Sequence, residues 1–291
     1  FKTIQSNYNS MSLITDYFKN TKKYKASHGE KTIVLIQVGS FFECYALVES
    51  DGSYTGSSIE EFARINDMAI AKKSACVGEK NVVMAGFGLG QLEKYVKKLL
   101  EHGYTVPVFV QDQPIKGSER NLACIYSPGM YFNDDIQTNS NLSNNTICIW
   151  LNLANVNLII KQPLLTIGLS IIDILTGKLI NFEYTVPYNN NPIIYDQLEK
   201  YISIYNPSET IIITNNTEPD YIDTIINYVN INSHKIHKVN LREKNNGEFV
   251  KNAINCEKQK YQEALIDKLY GIGSFREKPE FYQYPIANQS L

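Results

Sequence analysis

The feature that most constrains this chain is an alternation of short apolar runs with amphipathic stretches, arranged in two blocks on either side of a polar segment. In the first block, KTIVLIQVGS carries Val34, Leu35, Ile36 and Val38 and stops at Gly39, the pattern of a short buried strand. Ahead of it, Met11, Ile14, Tyr17, Phe18 and Tyr24 fall near one helical face of residues 11–28. SIEEFARINDMAIAKKS (58–74) reads as a helix, with Ser58 as its N-cap and Glu60 and Glu61 in the dipole-favoured first turn. NVVMAGF reads as a strand. LGQLEKYVKKLLEHG reads as a helix with Leu92, Tyr95, Val96, Leu99 and Leu100 on one stripe and Gly103 as its stop. YTVPVFVQ and RNLACIYSPG complete the block as strands. A small α/β domain, with helices packed on a mixed sheet, is expected over residues 1–133.

Residues 134–145 are mostly polar and rich in turn formers, and are expected to be a linker. Behind them TICIWLNL, PLLTIGLSIID and KLINFEYTV are three strand-like runs, with a turn signal at LTG. PIIYDQLEKYISIYN is then a helix, SETIIIT a strand and EPDYIDTIINYVN a helix. Three consecutive strands followed by alternating helix and strand predict an RNase H-like α/β domain over residues 146–244. Residues 245–291 turn polar and then helical, and read as the start of a third, helical domain cut short.

Composition narrows the function classes. Hydrophobic residues are 43% and charged residues 20% of the 291, the balance of a folded chain and not of a disordered tail. A net charge of −2 argues against wrapping nucleic acid on charge alone, so any DNA contact must be local. No run of about 18 apolar residues suggests a membrane span, and the opening FKTIQSNYNS has no signal-peptide character. The five cysteines form no CxxC pair, which favours buried reduced thiols in an intracellular compartment over a zinc ribbon or disulfide framework.

Several segments, in order and at matching spacing, resemble the MutS family of DNA mismatch-repair proteins. QVGSFFECY resembles the family's mismatch-reading loop, whose usual form is a strand followed by Gly-Asp-Phe-Tyr-Glu; here it stands as Gly39-Ser40-Phe41-Phe42-Glu43. NDMAIAKKS resembles a helix that closes with two basic residues, and VVMAGF the Pro-Met-Ala-Gly strand. QLEKYVKKLLEHGYTVPVFVQ and RNLACIYSPGM resemble the stretches that follow. The likeness covers residues 10–130 well and 146–240 more loosely, and 261–291 is similar to the entry into the family's core domain. Ser40 and Phe42 replace the usual Asp and Tyr, and GFGLG replaces Gly-x-Pro-Tyr-His. These departures suggest a divergent branch, such as the giant-virus and octocoral-mitochondrial one.

The resemblance implies a function and a set of site residues. Phe41 is the wedge expected to stack on a mispaired base, and Glu43 the carboxylate expected to hydrogen-bond a base edge, either protonated or facing a base N–H. Lys73, with Lys72 beside it, is the expected phosphate contact. Mismatched double-stranded DNA is the expected partner. Dimerisation, together with ATP and Mg, belongs to domains of the parent that lie outside this chain. Neither catalytic residue, metal nor cofactor is expected within it, since GFGLG lacks the spacing and lysine of a phosphate-binding loop. Without the resemblance each site residue has a blander reading: an aromatic after a strand usually packs in a core, and Phe42 is the better candidate for that. Phe41 and Phe42 point to opposite faces if the strand continues. Two lysines at a helix end are ordinarily a solvated, dipole-favoured terminus.

Two rival readings remain. An RNase H-like nuclease would use Asp173 and Glu183 with a divalent metal, although Asp173 is more readily a residue that shapes the turn at Leu175–Lys178. A MutS relative could also keep the fold and no longer read mismatches. His234 and His237 lack further ligands nearby and read as surface histidines.

Overall fold

The computed structural model describes residues 2–112, 119–131, 143–154, 162–189, 191–218, 220–243, 248–277 and 284–290. They divide into two compact units, Phe1–Tyr131 and Phe132–Leu291. Among the described residues, no helix is long and apolar enough to cross a membrane.

The first unit runs α1 (Lys2–His28), β1 (Leu35–Val38), β2 (Phe41–Val48), β3 (Tyr54–Thr55), α2 (Ile59–Asn66), β4 (Ala71–Val77), β5 (Lys80–Gly88), α3 (Leu92–Glu101), β6 (Val106–Gln111) and β7 (Arg120–Tyr126). Its sheet has the order β4-β5-β2-β1-β6-β7, with β3 on the far end of β2. β1 and β6 are parallel and the other neighbours antiparallel, so the sheet is mixed. Ring packing joins the layers. Phe62 of α2 and Tyr95 of α3 surround Phe87, which pairs across the ladder with Phe42. Tyr17 and Tyr24 of α1 lie edge-on to Tyr45 and Phe109.

Two local expectations fail, each for a readable reason. The helix expected over residues 58–74 stops at Asn66, because Asp67 adopts the left-handed conformation (φ 55°) and its N–H returns to the last-turn carbonyls. Ser58 precedes this helix without a side-chain cap. Residues 71–74, read as the basic end of that helix, instead open β4, an edge strand whose exposed lysine and alternating burial suit a solvent-facing sheet margin. The second difference is β2 itself. The segment after Gly39 is not a loop but a second strand folded straight back on β1.

The second unit runs β8 (Asn145–Ala154), β9 (Leu164–Asp173), β10 (Lys178–Pro187), α4 (Asp196–Tyr205), β11 (Glu209–Thr214), α5 (Tyr221–Tyr228), β12 (Lys235–Asn240), α6 (Glu248–Cys256), α7 (Gln259–Tyr270), α8 (Ser274–Glu277) and α9 (Pro285–Ser290). The order is β10-β9-β8-β11-β12, with β8, β9 and β10 antiparallel and β11 parallel to both of its neighbours. This is an α/β arrangement of RNase H-like type. Most of the expected linker, residues 134–142, lies outside the described residues.

Period-two alternation sends successive side chains of β8 into two different cores. Ile147, Ile149 and Leu151 pack with Leu198 and Ile202 of α4 and Ile225 of α5. Trp150 packs with Ile213, Val239, Val250 and Ala253, with Cys148, Cys256 and Ile286 at the margin. Helices therefore cover both faces, which explains why TICIWLNL reads as a nearly continuous apolar run. The helices assigned from sequence to the start of a third domain lie in the same compact unit as this sheet. α6 and α9 cover its Trp150 face, and Glu183 Oε2 accepts the Ile286 and Ala287 N–H groups at 2.7 and 3.0 Å. α7 and α8 meet through Ile266 and Phe275.

Burial also sets thiol behaviour. It pushes Cys44 up to about 11 and Cys148 up to about 12, while Cys76 is exposed. The thiolate is the reactive form, so a thiol reagent at pH 8 is expected to modify Cys76 in the folded protein and Cys44 and Cys148 only after denaturation. Mass spectrometry of the labelled peptides reads this order directly. Because the folded thiols keep their protons beyond the ordinary value of 9.0, their share of stability is full below that pH and is lost as pH rises through about 11.

Candidate nucleic-acid interface

The candidate site begins with a two-residue hairpin. Val38 and Phe41 pair across it, and Gly39 at φ 59° supplies the positive φ that the first turn position requires. The Leu89 N–H donates to the Ser40 carbonyl at 3.1 Å, which joins the turn to the end of β5. Gln37 secures the other side. Its Nε2 donates to the Gly39 carbonyl at 3.1 Å, its Oε1 accepts the Gln111 N–H at 3.0 Å, and its carbonyl accepts Arg120 Nε at 3.2 Å. The tip is thus tied to β5, β6 and β7 and not left as a free loop.

On this hairpin the two adjacent phenylalanines separate. Phe42 is 4% exposed and packs against Phe87, whereas Phe41 is 54% exposed at the tip. Strand alternation alone forces the split once β2 continues through both positions. Phe41, Glu43 and Tyr45 then share a face. The Glu43 carboxylate is buried with a side-chain exposure of 6%, and Lys73 Nζ reaches it at 2.6 Å from β4, across β5. The Tyr45 hydroxyl donates to the same oxygen, Oε2. Burial, and then the neighbouring Glu43 charge, hold the Tyr45 phenol well above its ordinary range, so it remains a donor. Lys72, one residue earlier on the strand, is exposed and forms no ion pair among the described residues. Of the two lysines, only Lys73 is brought to the carboxylate.

The residues surrounding this hairpin, 15–135, match the family model described as MutS domain I. A mutS homologue of Acanthamoeba polyphaga mimivirus, named as a DNA mismatch repair protein, is 27% identical over 272 residues, which is 90% of this chain and 23% of that protein. Residues 15–135 thus resemble the first domain of MutS proteins. A MutS 2 protein of Halobacterium salinarum is 27% identical over 128 residues, 43% of this chain and 13% of its own length. A MutS of Synechococcus is 25% identical over 176 residues, 59% and 18% respectively. The chain therefore spans less than a quarter of each of these curated relatives.

Within these residues, sequence reasoning missed Tyr45 and Gly86. Tyr45 was legible in principle as the residue two beyond Glu43 on a continuing strand; Gly86 was not, because only the β2–β5 register puts it opposite Glu43. A Cβ at Gly86 would lie 2.5 Å from the Phe42 carbonyl oxygen and 3.2 Å from Glu43 Cγ, whereas one at Gly88 would meet nothing within 4 Å. Gly86→Ala is thus expected to destabilise the unit by ~1–3 kcal/mol, and Gly88→Ala by no more than about 0.5 kcal/mol. Urea midpoints at constant slope test the pair.

The carboxylates of the rival nuclease reading are both engaged with backbone. Asp173 Oδ1 accepts the N–H groups of Leu175 and Thr176 at 2.9 and 3.3 Å and so shapes the β9–β10 turn, while Glu183 holds the start of α9. They pair with Lys178 and Gly168, five ladder positions apart, roughly 16 Å along a strand. His237 is not a free surface histidine: its Nε2 meets Glu209 Oε1 at 2.6 Å on the unpredicted strand β12.

Proposed function

We propose that the first unit reads mismatched base steps in duplex DNA and that the parent protein acts in DNA mismatch repair. One observation carries the reading. Phe41 presents an aromatic ring to solvent at a braced hairpin tip, beside a neighbour of identical type that the core absorbs. A phenylalanine exposed on a rigid strand end contributes little to the fold, whereas a wedge for an unstacked base step needs that placement. Mismatched steps are easier to kink than paired ones, so a wedge selects them without base-specific contacts. Glu43 supplies a hydrogen bond to a base edge, and phosphate contacts position the duplex without specifying sequence. The names of the three relatives support the repair role. The parent is expected to bind DNA as a dimer and to hydrolyse ATP with Mg through domains beyond this chain.

The test is competition between a duplex bearing one G·T mismatch and its matched control, at fixed salt, with the full-length protein. Preferential binding of the mismatched duplex supports the reading; equal binding means the fold has been kept and the mismatch reading lost.

A further inference from the structure

Family resemblance casts Lys73 as a phosphate contact, but its ammonium is engaged elsewhere. Lys73 Nζ lies 2.6 Å from Glu43 Oε2 and 5.4 Å from the Tyr45 ring centroid, and the Tyr45 hydroxyl donates to that same Oε2. Both contacts fall on one oxygen of a carboxylate whose side chain is only 6% exposed. Glu43 Oε1 makes no hydrogen bond among the described residues. A lone buried carboxylate next to DNA would be doubly unfavourable, desolvated by the protein and repelled by phosphate. The Lys73 charge cancels it locally, and Tyr45 fixes its rotation.

We propose that Lys73 and Tyr45 are positioning residues for Glu43: they occupy Oε2 and leave Oε1 as the single acceptor presented to a base edge. The proposal rests on the mismatch-reading function above. Lys73 then acts through Glu43 and contributes to mismatch discrimination, not to general affinity. An ammonium drawn toward a phosphate would leave Glu43 Oε2 and loosen the contact that orients this side chain.

The two roles differ in salt dependence. A lysine that neutralises one phosphate contributes about 0.9 to the slope of log K against log salt; a positioning lysine contributes nothing to it. Fluorescence anisotropy of the full-length protein on G·T-mismatched and matched duplexes, across a salt series, measures both slope and preference. Lys73→Met is expected to reduce the mismatch preference on the order of tenfold, as for one lost charge-assisted contact, with the slope unchanged. Lys73→Arg is expected to restore most of it, and Tyr45→Phe to reproduce part of the loss. Glu43→Gln combined with Lys73→Met is expected to lose no more preference than the larger single change, because both act on one contact. If Lys73→Met does not fold, the double variant, which buries no unpaired charge, is compared with Glu43→Gln for the same slope. A slope shallower by about 0.9 with the preference intact overturns the proposal, as do additive losses in the double variant. A wild type without mismatch preference, indifferent to Phe41→Ala, overturns the underlying function as well. A preference that falls with Phe41→Ala but not with Lys73→Met overturns the positioning role alone.

Discussion

Phe41→Ala is expected to erase the preference for a mismatched duplex while leaving folding and matched-duplex binding nearly unchanged. Stacking of one base on an aromatic ring is worth ~1–3 kcal/mol by alanine substitution, which is roughly 5- to 150-fold in affinity. On the proposed function that interaction forms only where a base step can be opened, so the loss should fall almost wholly on the mismatched duplex. Thermal stability should hold, because a ring that is 54% exposed at a hairpin tip surrenders little buried area when removed. The adjacent residue supplies a control of opposite sign. Phe42→Ala deletes a ring packed against Phe87 and is expected to cost ~3–5 kcal/mol of stability. Measured together, anisotropy and thermal melting should give two crossed signatures from neighbouring phenylalanines. A Phe41→Ala protein that binds both duplexes as wild type does would rule out the wedge.

Trp150→Ala is expected to be among the most damaging changes to stability in the second unit. Trp150 is almost fully buried and lies between the sheet and the helices that cover it, touching a cluster that includes Ile213, Val239, Val250 and Ala253. Removing so large a side chain takes away both transfer free energy and contacts that its neighbours cannot recover, a loss of ~3–5 kcal/mol. For a unit of this size the melting temperature should drop by on the order of 10 °C. Since this is the only tryptophan in the chain, the transition has to be followed by circular dichroism and not by indole fluorescence. Trp150→Phe should recover part of the loss. An unchanged melting temperature would mean that α6 and α9 are not held by this core.

The elements of the chain are not equally legible in its sequence. Strands such as KTIVLIQV, PLLTIGLSIID and SETIIIT declared themselves through apolar runs bounded by turn residues, and α3 through its stripe ending at Gly103. Residues 71–77 did not, because AKKSACV on an exposed edge has no fully buried side chain and so only a weak period, while the apolar Met68-Ala69-Ile70 before it prolonged the apparent helix. β12 was missed for a similar reason: KIHKVN buries few of its side chains. At the candidate site, motif and spacing pointed to Phe41, Glu43, Lys72 and Lys73 as residues of interest, and nothing local to the sequence could say which of them meet.

What the sequence determined by itself was the α/β class, the two blocks of alternating elements, and the opposed directions of Phe41 and Phe42 on any continuing strand. These are local properties, set by side-chain period and turn chemistry within a few residues. What only the tertiary structure decided was the pairing of Lys73 with Glu43, thirty residues apart, the need for a bare Gly86 opposite that carboxylate, and the seating of α6 and α9 on the Trp150 face. Each of these depends on the register between strands or on which sheet face a helix covers. No local pattern encodes such choices, because they follow from how the whole chain buries its apolar surface at once.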